Sequence, residues 1–162
     1  MTSSSSFDAA KFRQVLGHFP TGVTVVTAAN DGVPVGLAVG SFASVSLDPP
    51  LVAFFPDKAS SSWPKIETAG SFCVNILAED QEDVCRRFAS KGDDKFLGLG
   101  WKPTASGAPL LDDVLAWIDC GIDSVVEAGD HFCVTGRVRD LAVIHDGGPL
   151  VFFRGGYGRF AV

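Results

Sequence analysis

No stretch of this 162-residue chain reaches the ~18–20 consecutive apolar residues of a membrane span, so a membrane partner is not expected. The opening MTSSSS has neither the charged nor the apolar segment of a secretory signal, and it is expected to be frayed. Cysteine is scarce. Cys73, Cys85, Cys120 and Cys133 form no CxxC pair and no zinc spacing, so they are expected to be buried, reduced thiols of a cytoplasmic protein with no bound metal. Basic residues are outnumbered, 13 to 19, and the net charge of −6 argues against nucleic acid as the main partner, which requires a clustered basic face. No GxSxG, HExxH or GxxxxGK[ST] is present, and no GxGxxG lies between a strand and a helix. A catalyst without an activated nucleophile or a metal leaves the difficult chemistry to a bound cofactor.

What is present is an apolar fraction of 46% and 13 phenylalanines, the composition of a globular chain. At this length we expect one domain, 1–162, able to bury roughly 68–70% of its unfolded surface. Ser6 is a candidate N-cap, with Asp8 in the first turn of a helix that carries Phe12, Val15, Leu16 and Phe19 on one face. VTVVTAA (23–29) reads as a strand, NDG (30–32) as a hairpin turn, 34–46 as one long strand and LVAFF (51–55) as a buried strand. A serine-capped helix is expected over 60–70, a strand over 71–77 and an amphipathic helix over 79–90. Residues 91–109 hold many breakers and no period, which predicts a long surface loop. Two strands (115–127 and 131–145) flank AGD, and the chain closes with one more strand and a glycine-rich tail. Short connections between strands predict a mostly β, antiparallel barrel with peripheral helices rather than a doubly wound sheet.

Three stretches could build a cofactor site. In VGLAVGSFASVSLDPP (35–50) the small side chains would let backbone approach the polar edge of a flat ring, with Ser41 and Ser44 as added donors. Tight strand packing would account for the same residues. In DKASSSW (57–63) the serines at a helix start, beside Lys58, would favour an anion, although serines there also serve simply as caps. FASK (88–91), GDH (129–131) and RGGYGRF (154–160) offer Phe88 and Tyr157 to pack a ring, and Lys91, Arg154 and Arg159 to meet phosphate. His131, at a strand start, is the candidate functional histidine.

In order along the chain, FRQVLGHFPTGVTVVTA (12–28), GLAVGSFASVSLDPPLVAFF (36–55), SSSWPKI (60–66), FCVNIL (72–77), FA (88–89), GDHFCVTGRV (129–138) and PLVFFRGGYG (149–158) resemble the short-chain flavin reductases. These are the reductase components of two-component flavin-dependent monooxygenases. The resemblance implies a six-stranded antiparallel split β-barrel (Greek key) of the FMN-binding type, a homodimer, and reduction of free FAD or FMN by NADH or NADPH. The reduced flavin would pass to a separate monooxygenase. Carried over by position, Gly36, Leu37, Ala38, Val39, Gly40, Ser41, Phe42 and Ser44 would line the isoalloxazine. Ser60, Ser61 and Ser62 would hold phosphate, and Phe88, Ala89, Ser90 and Lys91 would flank the ribityl-phosphate side. His131 would act beside the nicotinamide, with Tyr157 and Arg159 near the same groove. Many relatives carry Thr-x-Asn where this chain has Ala38-Val39-Gly40, so fewer side-chain hydrogen bonds are available there. A flavin- or haem-binding barrel without turnover, acting as a sensor or carrier, is the alternative. An oxidase of the pyridoxamine-phosphate type is a third reading, opposed by the few arginines before residue 137, which are Arg13, Arg86 and Arg87.

Overall fold

The structure, a computed structural model, describes residues 7–161. The expected frayed segment 1–6 and the Ser6 cap lie outside them. The first helix, α1, is Ala9–Leu16, and Asp8 caps it by accepting from the N–H groups of Ala10 (2.9 Å) and Lys11 (3.3 Å). A carboxylate satisfies those orphan donors and also meets the positive end of the helix dipole.

The central sheet is built from β2 (Thr24–Asn30), β3 (Val33–Val39), β4 (Phe42–Ser46), β5 (Leu51–Phe54), β6 (Ser71–Ile76), β9 (Ala116–Ala128) and β10 (His131–Val143). Its order is β3-β2-β6-β9-β10-β5-β4, and every pairing is antiparallel. The first and last strands are neighbours in the chain, joined only by Gly40 and Ser41. The sheet therefore curls until its two edges belong to one bent strand. Counted that way it is the expected six-stranded barrel, with an unladdered seam between β3 and β4. The expected single strand over 34–46 is corrected: glycine at 40 lets the chain turn from one edge to the other.

The β2–β3 hairpin turns through Asp31 (φ 51°) and Gly32 (φ 77°), both left-handed, as a two-residue turn matched to strand twist requires. β2 is buried on both faces. Val26 and Ala28 join the barrel core, while Val25 packs outward under α3 (Glu82–Ala89). That two-sided burial is why the segment reads as a continuous apolar run.

The barrel core centres on Phe54, edge-to-face with Phe72 (5.0 Å between ring centres) and with Trp63 (5.8 Å), the first residue of α2 (Trp63–Ala69). Gly136 is the bare position that admits Phe72, since a Cβ there would overlap its ring. A second cluster, with Leu77, Cys85, Phe88, Val114 and Leu150, fills the space between barrel wall and α3.

Two parts of the sequence hid strands. The stretch expected to be a loop carries the hairpin β7 (Trp101–Pro103) and β8 (Pro109–Leu111). Buried Asn75 anchors it, giving Nδ2–H to Val25 O (3.0 Å) and accepting Leu111 N–H (2.9 Å). The expected glycine-rich tail is likewise a hairpin, β11 (Leu150–Phe153) with β12 (Gly156–Arg159), and β1 (Thr21–Gly22) pairs on its outer side. Its turn uses Arg154 (φ 52°) and Gly155 (φ 77°). α3 begins at Glu82 rather than 79, because Gln81 Oε1 takes the N–H of Ala78 (2.9 Å) and closes the preceding turn. Among the described residues no helix is long and apolar enough to cross a membrane.

Candidate functional site

The bent strand β3–β4 touches two cavities, one at each end of β3. Along β3 the side chains alternate. Leu37 and Val39 pack with the barrel core, and Ala38 packs with the α3 cluster. A Cβ at Gly36 would stand 2.8 and 3.0 Å from atoms of the Phe88 ring and 3.3 Å from Thr27 Cγ2. Phe88 is itself 1% exposed and edge-to-face with Phe96 (5.0 Å). At residue 36, then, the missing side chain makes room for a core phenylalanine. Tight packing thus accounts for both Gly36 and Phe88, although Gly36 also borders one of the two cavities.

The bend differs. Gly40, Ser41, Ala43 and Ser44 are exposed, and Ser41 Oγ donates to Phe55 O at 3.4 Å. Gly40, Ser41, Phe42 and Ala43 border a cavity of about 730 Å³, walled by Phe19, Pro20, Phe55, Ile76 and Phe152. This is an apolar slot with backbone exposed along one edge, the shape that a flat ring with a polar rim fills.

The other cavity, about 450 Å³, is bordered by Val33, Pro34, Gly36, Ser61, Ser62 and Lys95, with Lys65, Asp31 and Asp93 at its rim. Lys95 dominates its electrostatics. Its ammonium donates to Phe88 O (3.2 Å), Gly36 O (3.3 Å) and Ser62 Oγ (3.4 Å). Partial burial lowers its pKa below the ordinary lysine value. Among the described residues no carboxylate lies within ion-pair distance of it; Asp93 pairs with Lys65 instead, at 3.9 Å. Lys95 thus holds positive charge that neutral oxygens orient, with Asp93 acting on it only from beyond ion-pair distance, an arrangement that can take an anion.

Other predicted residues land elsewhere. Ser60 is a cap: its Oγ accepts from Ser62 N (3.3 Å) and Trp63 N (3.2 Å), so the plain reading of that serine holds. Lys58 turns away, to Glu127 (3.7 Å) and over the Phe132 ring (5.5 Å). Ala89, the last residue of α3, and Ser90 and Lys91 just beyond it are exposed and border neither cavity. Ser90 Oγ donates back to Arg87 O (2.6 Å). The phenol of Tyr157 meets Cys85 Sγ (3.3 Å), with the Arg86 guanidinium 4.8 Å over the ring. That hydrogen bond, aided by burial, pushes the phenol pKa up to about 12. Arg159 faces Glu79 at 3.9 Å. Tyr157 therefore belongs to the wall around α3, and neither it nor Arg159 borders either cavity. His131 opens β10, bridged to Asp57, with Nδ1–H given to Asp130 (2.7 Å). That bond holds the Asp130 carboxyl below its usual pKa. His131 sits beside the start of the 57–63 segment and its side chain is 42% exposed.

Sequence reasoning missed Lys95, four residues beyond the lysine it chose. KGDDKF offers two lysines, and only the fold shows which one reaches back to β3. The cysteines are all free. Burial, reinforced by Asp119, raises the thiol pKa of Cys73, and that of Cys120 to about 12; burial also raises that of Cys85. None of those three is set up as a thiolate nucleophile.

Comparison with known proteins identifies the family and the fold. The family model for the flavin reductase like domain matches residues 16–161. A flavin reductase of Pseudomonas putida is 58% identical over 158 residues, 97% of this chain and 93% of the relative. The crystal structure of nitrilotriacetate monooxygenase component B from Mycobacterium thermoresistibile superposes with a TM-score of 0.93 at 49% identity, covering 95% of this chain and 87% of the other. An NADH:FAD oxidoreductase from Streptomyces globisporus, in complex with NAD and FAD fragments, superposes with a TM-score of 0.90 at 36% identity, covering 95% and 93%.

Proposed function

Because the chain belongs to the flavin reductase like domain family, we propose that it is an NAD(P)H:flavin oxidoreductase that reduces free FAD or FMN and supplies the product to a separate monooxygenase. The observation that carries this reading is the bent strand. It presents bare backbone at Gly40–Ser41 to an apolar slot and, through Gly36, adjoins a cavity served by the Lys95 ammonium. A flavin needs both, a flat hydrophobic seat with a polar edge and a place for phosphate.

When bound, the flavin accepts hydride from the nicotinamide and carries the electrons away. The protein's part is to seat, orient and release. Phe42, Phe55 and Phe152 supply ring-sized walls, and the peptide groups of Gly40 and Ser41 meet the polar rim, with Ser44 exposed just beyond the slot. Ser61, Ser62 and Lys95 take the phosphate side in the position first given to Ser60–Ser62 and Lys91. His131 is assigned to orient the nicotinamide, with Asp130 fixing its ring. No strong base is required, which fits a site without an activated nucleophile. Among the described residues no basic cluster suited to a 2′-phosphate stands near His131, so NADH is favoured.

We read 1–162 as one domain and the active form as a homodimer. Phe12 (54% exposed), Val15 (59%) and Phe19 (73%) on and just after α1, with Phe153 (43%) of β11, leave apolar surface for a second copy to cover. Four free cysteines fit the cytoplasm.

Purified protein is expected to oxidise NADH only when FAD or FMN is added, with a rate that saturates in flavin. His131→Ala should raise the nicotinamide KM or lower turnover; if both stay as in the wild type, the orienting role is wrong. A bound chromophore without NADH oxidation would instead support the sensor or carrier reading.

A further inference from the structure

The chain pairs its buried threonines carefully. Thr24 Oγ1 donates to Val39 O at 2.8 Å, and Thr27 Oγ1 to Pro109 O at 2.5 Å. Thr21 is different. Its Oγ1 is buried yet has no hydrogen-bond partner, the one such side-chain atom among the described residues. Buried polar groups are nearly always satisfied, so an orphan needs a physical explanation.

The position of Thr21 supplies one. The residue stands on β1, opposite Phe152 of β11, and borders the apolar cavity. A Cβ built on Gly40 would lie 3.3 Å from Thr21 Oγ1 and meet nothing else within 4 Å. Any side chain at 40 would thus press on the hydroxyl and on little else. Threonine χ1 has three staggered wells, so one step of about 120° carries the hydroxyl to a neighbouring position around the Cα–Cβ bond. That step breaks no hydrogen bond here, because Oγ1 has none to lose.

We infer that Thr21 is a flavin-ring ligand: its buried, unpartnered hydroxyl, beside the bare Gly40, turns to bond the polar rim of the isoalloxazine seated in the apolar slot. The inference rests on the flavin-binding reading above. An apolar seat gives a flat ring affinity but no fixed orientation, and one well-placed polar group supplies it. A hydroxyl suits this ring because it can donate or accept, and so can follow a rim atom whose hydrogen-bonding sense changes on reduction.

The test measures Kd for riboflavin and for FMN, and the thermal midpoint of the ligand-free protein. Thr21→Val, Thr21→Ser and Gly40→Ala are compared with the wild type. Thr21→Val should weaken riboflavin and FMN equally, roughly 3- to 10-fold, the worth of one net hydrogen bond. Its ligand-free thermal midpoint should not fall, because the lost hydroxyl had no partner. Thr21→Ser, which keeps the hydroxyl, should bind close to wild type. Gly40→Ala should also weaken both ligands, and combining it with Thr21→Val should add little further loss, since both remove the same bond. Wild-type affinity in Thr21→Val would overturn the inference while leaving the flavin reading intact. So would a lowered midpoint with unchanged affinity, which would make the hydroxyl part of the fold. A wild type that binds neither ligand would overturn both.

Discussion

Phe54→Ala is expected to cost about 3–5 kcal/mol, the range for removing a fully buried phenylalanine from a core that relaxes only in part. For a chain of this length that is a fall in Tm of about 10 °C. Phe54 is 0% exposed and links two faces of the barrel, since its ring meets Phe72 of β6 and Trp63 of α2. The chain continues from it directly into Phe55, a wall of the apolar slot, and Trp63 follows Ser61 and Ser62 of the second cavity. One aromatic cluster therefore sets the spacing between the two halves of the proposed site. Calorimetry or chemical denaturation measures the loss. A change within about 0.5 kcal/mol, the usual limit for surface positions, would mean that the cluster does not organise the barrel.

The second large effect is on binding. Lys95→Met keeps the length of the side chain and removes its charge. FMN affinity is expected to fall about 10-fold, the lower part of the range for hydrogen bonds to charged groups, because the cavity is open to water. Riboflavin, which has no phosphate, should bind as it does to the wild type. The contrast separates this residue from Thr21, whose loss should affect the two ligands alike. The pH dependence has a definite sign. Burial lowers the folded pKa of Lys95, so FMN affinity should decline as pH rises through that lowered value, short of the usual ~10.4, and Lys95→Met should flatten the decline. The same shift means the unfolded chain holds the proton more tightly, so this lysine adds stability as pH rises through the interval. Equal losses for FMN and riboflavin would show that Lys95 serves the fold, through Gly36 and Phe88, rather than an anion.

How far the sequence foretold all this depended on whether local chemistry or distant packing decided a residue's fate. The β2–β3 hairpin was legible because Asp31-Gly32 states its own backbone geometry. The two long strands of the β9–β10 hairpin were legible because β-branched and apolar residues flank one short turn. The break at Gly40 was not, since a glycine inside a strand pattern signals a bend or a close approach equally well. The β7–β8 hairpin was hidden by its glycines and prolines, and what holds it lies far off in sequence, at Asn75 and at Asp119, whose carboxylate accepts from Thr104 (2.9 Å) and Ser106 (2.6 Å).

At the candidate site the same division applies. The small residues of 36–44 form one stretch in sequence but serve two purposes in space. Gly36 yields to Phe88, whereas Gly40, Ser41 and Ser44 are exposed, with Thr21 Oγ1 as the one neighbour a Cβ at Gly40 would meet. Periodicity along β3 separates its inward from its outward side chains, but it cannot say whether a helix or a cavity lies outside. Phe88 and Tyr157 drew attention as aromatics, and both proved to be packed around α3. Lys95 and Thr21 drew none, since a lysine in a breaker-rich loop and a threonine before glycine have no local signature of function.

The account's central claim is that flavin is a diffusible product rather than a resident group. The direct measurement is anaerobic: protein is mixed with excess NADH and excess FMN, then removed by rapid ultrafiltration, and reduced flavin is measured in the filtrate. The account predicts many equivalents of reduced flavin per protein chain, free in the filtrate, with an equal amount of NADH consumed. Reduction that stops at one equivalent, retained with the protein, would contradict it.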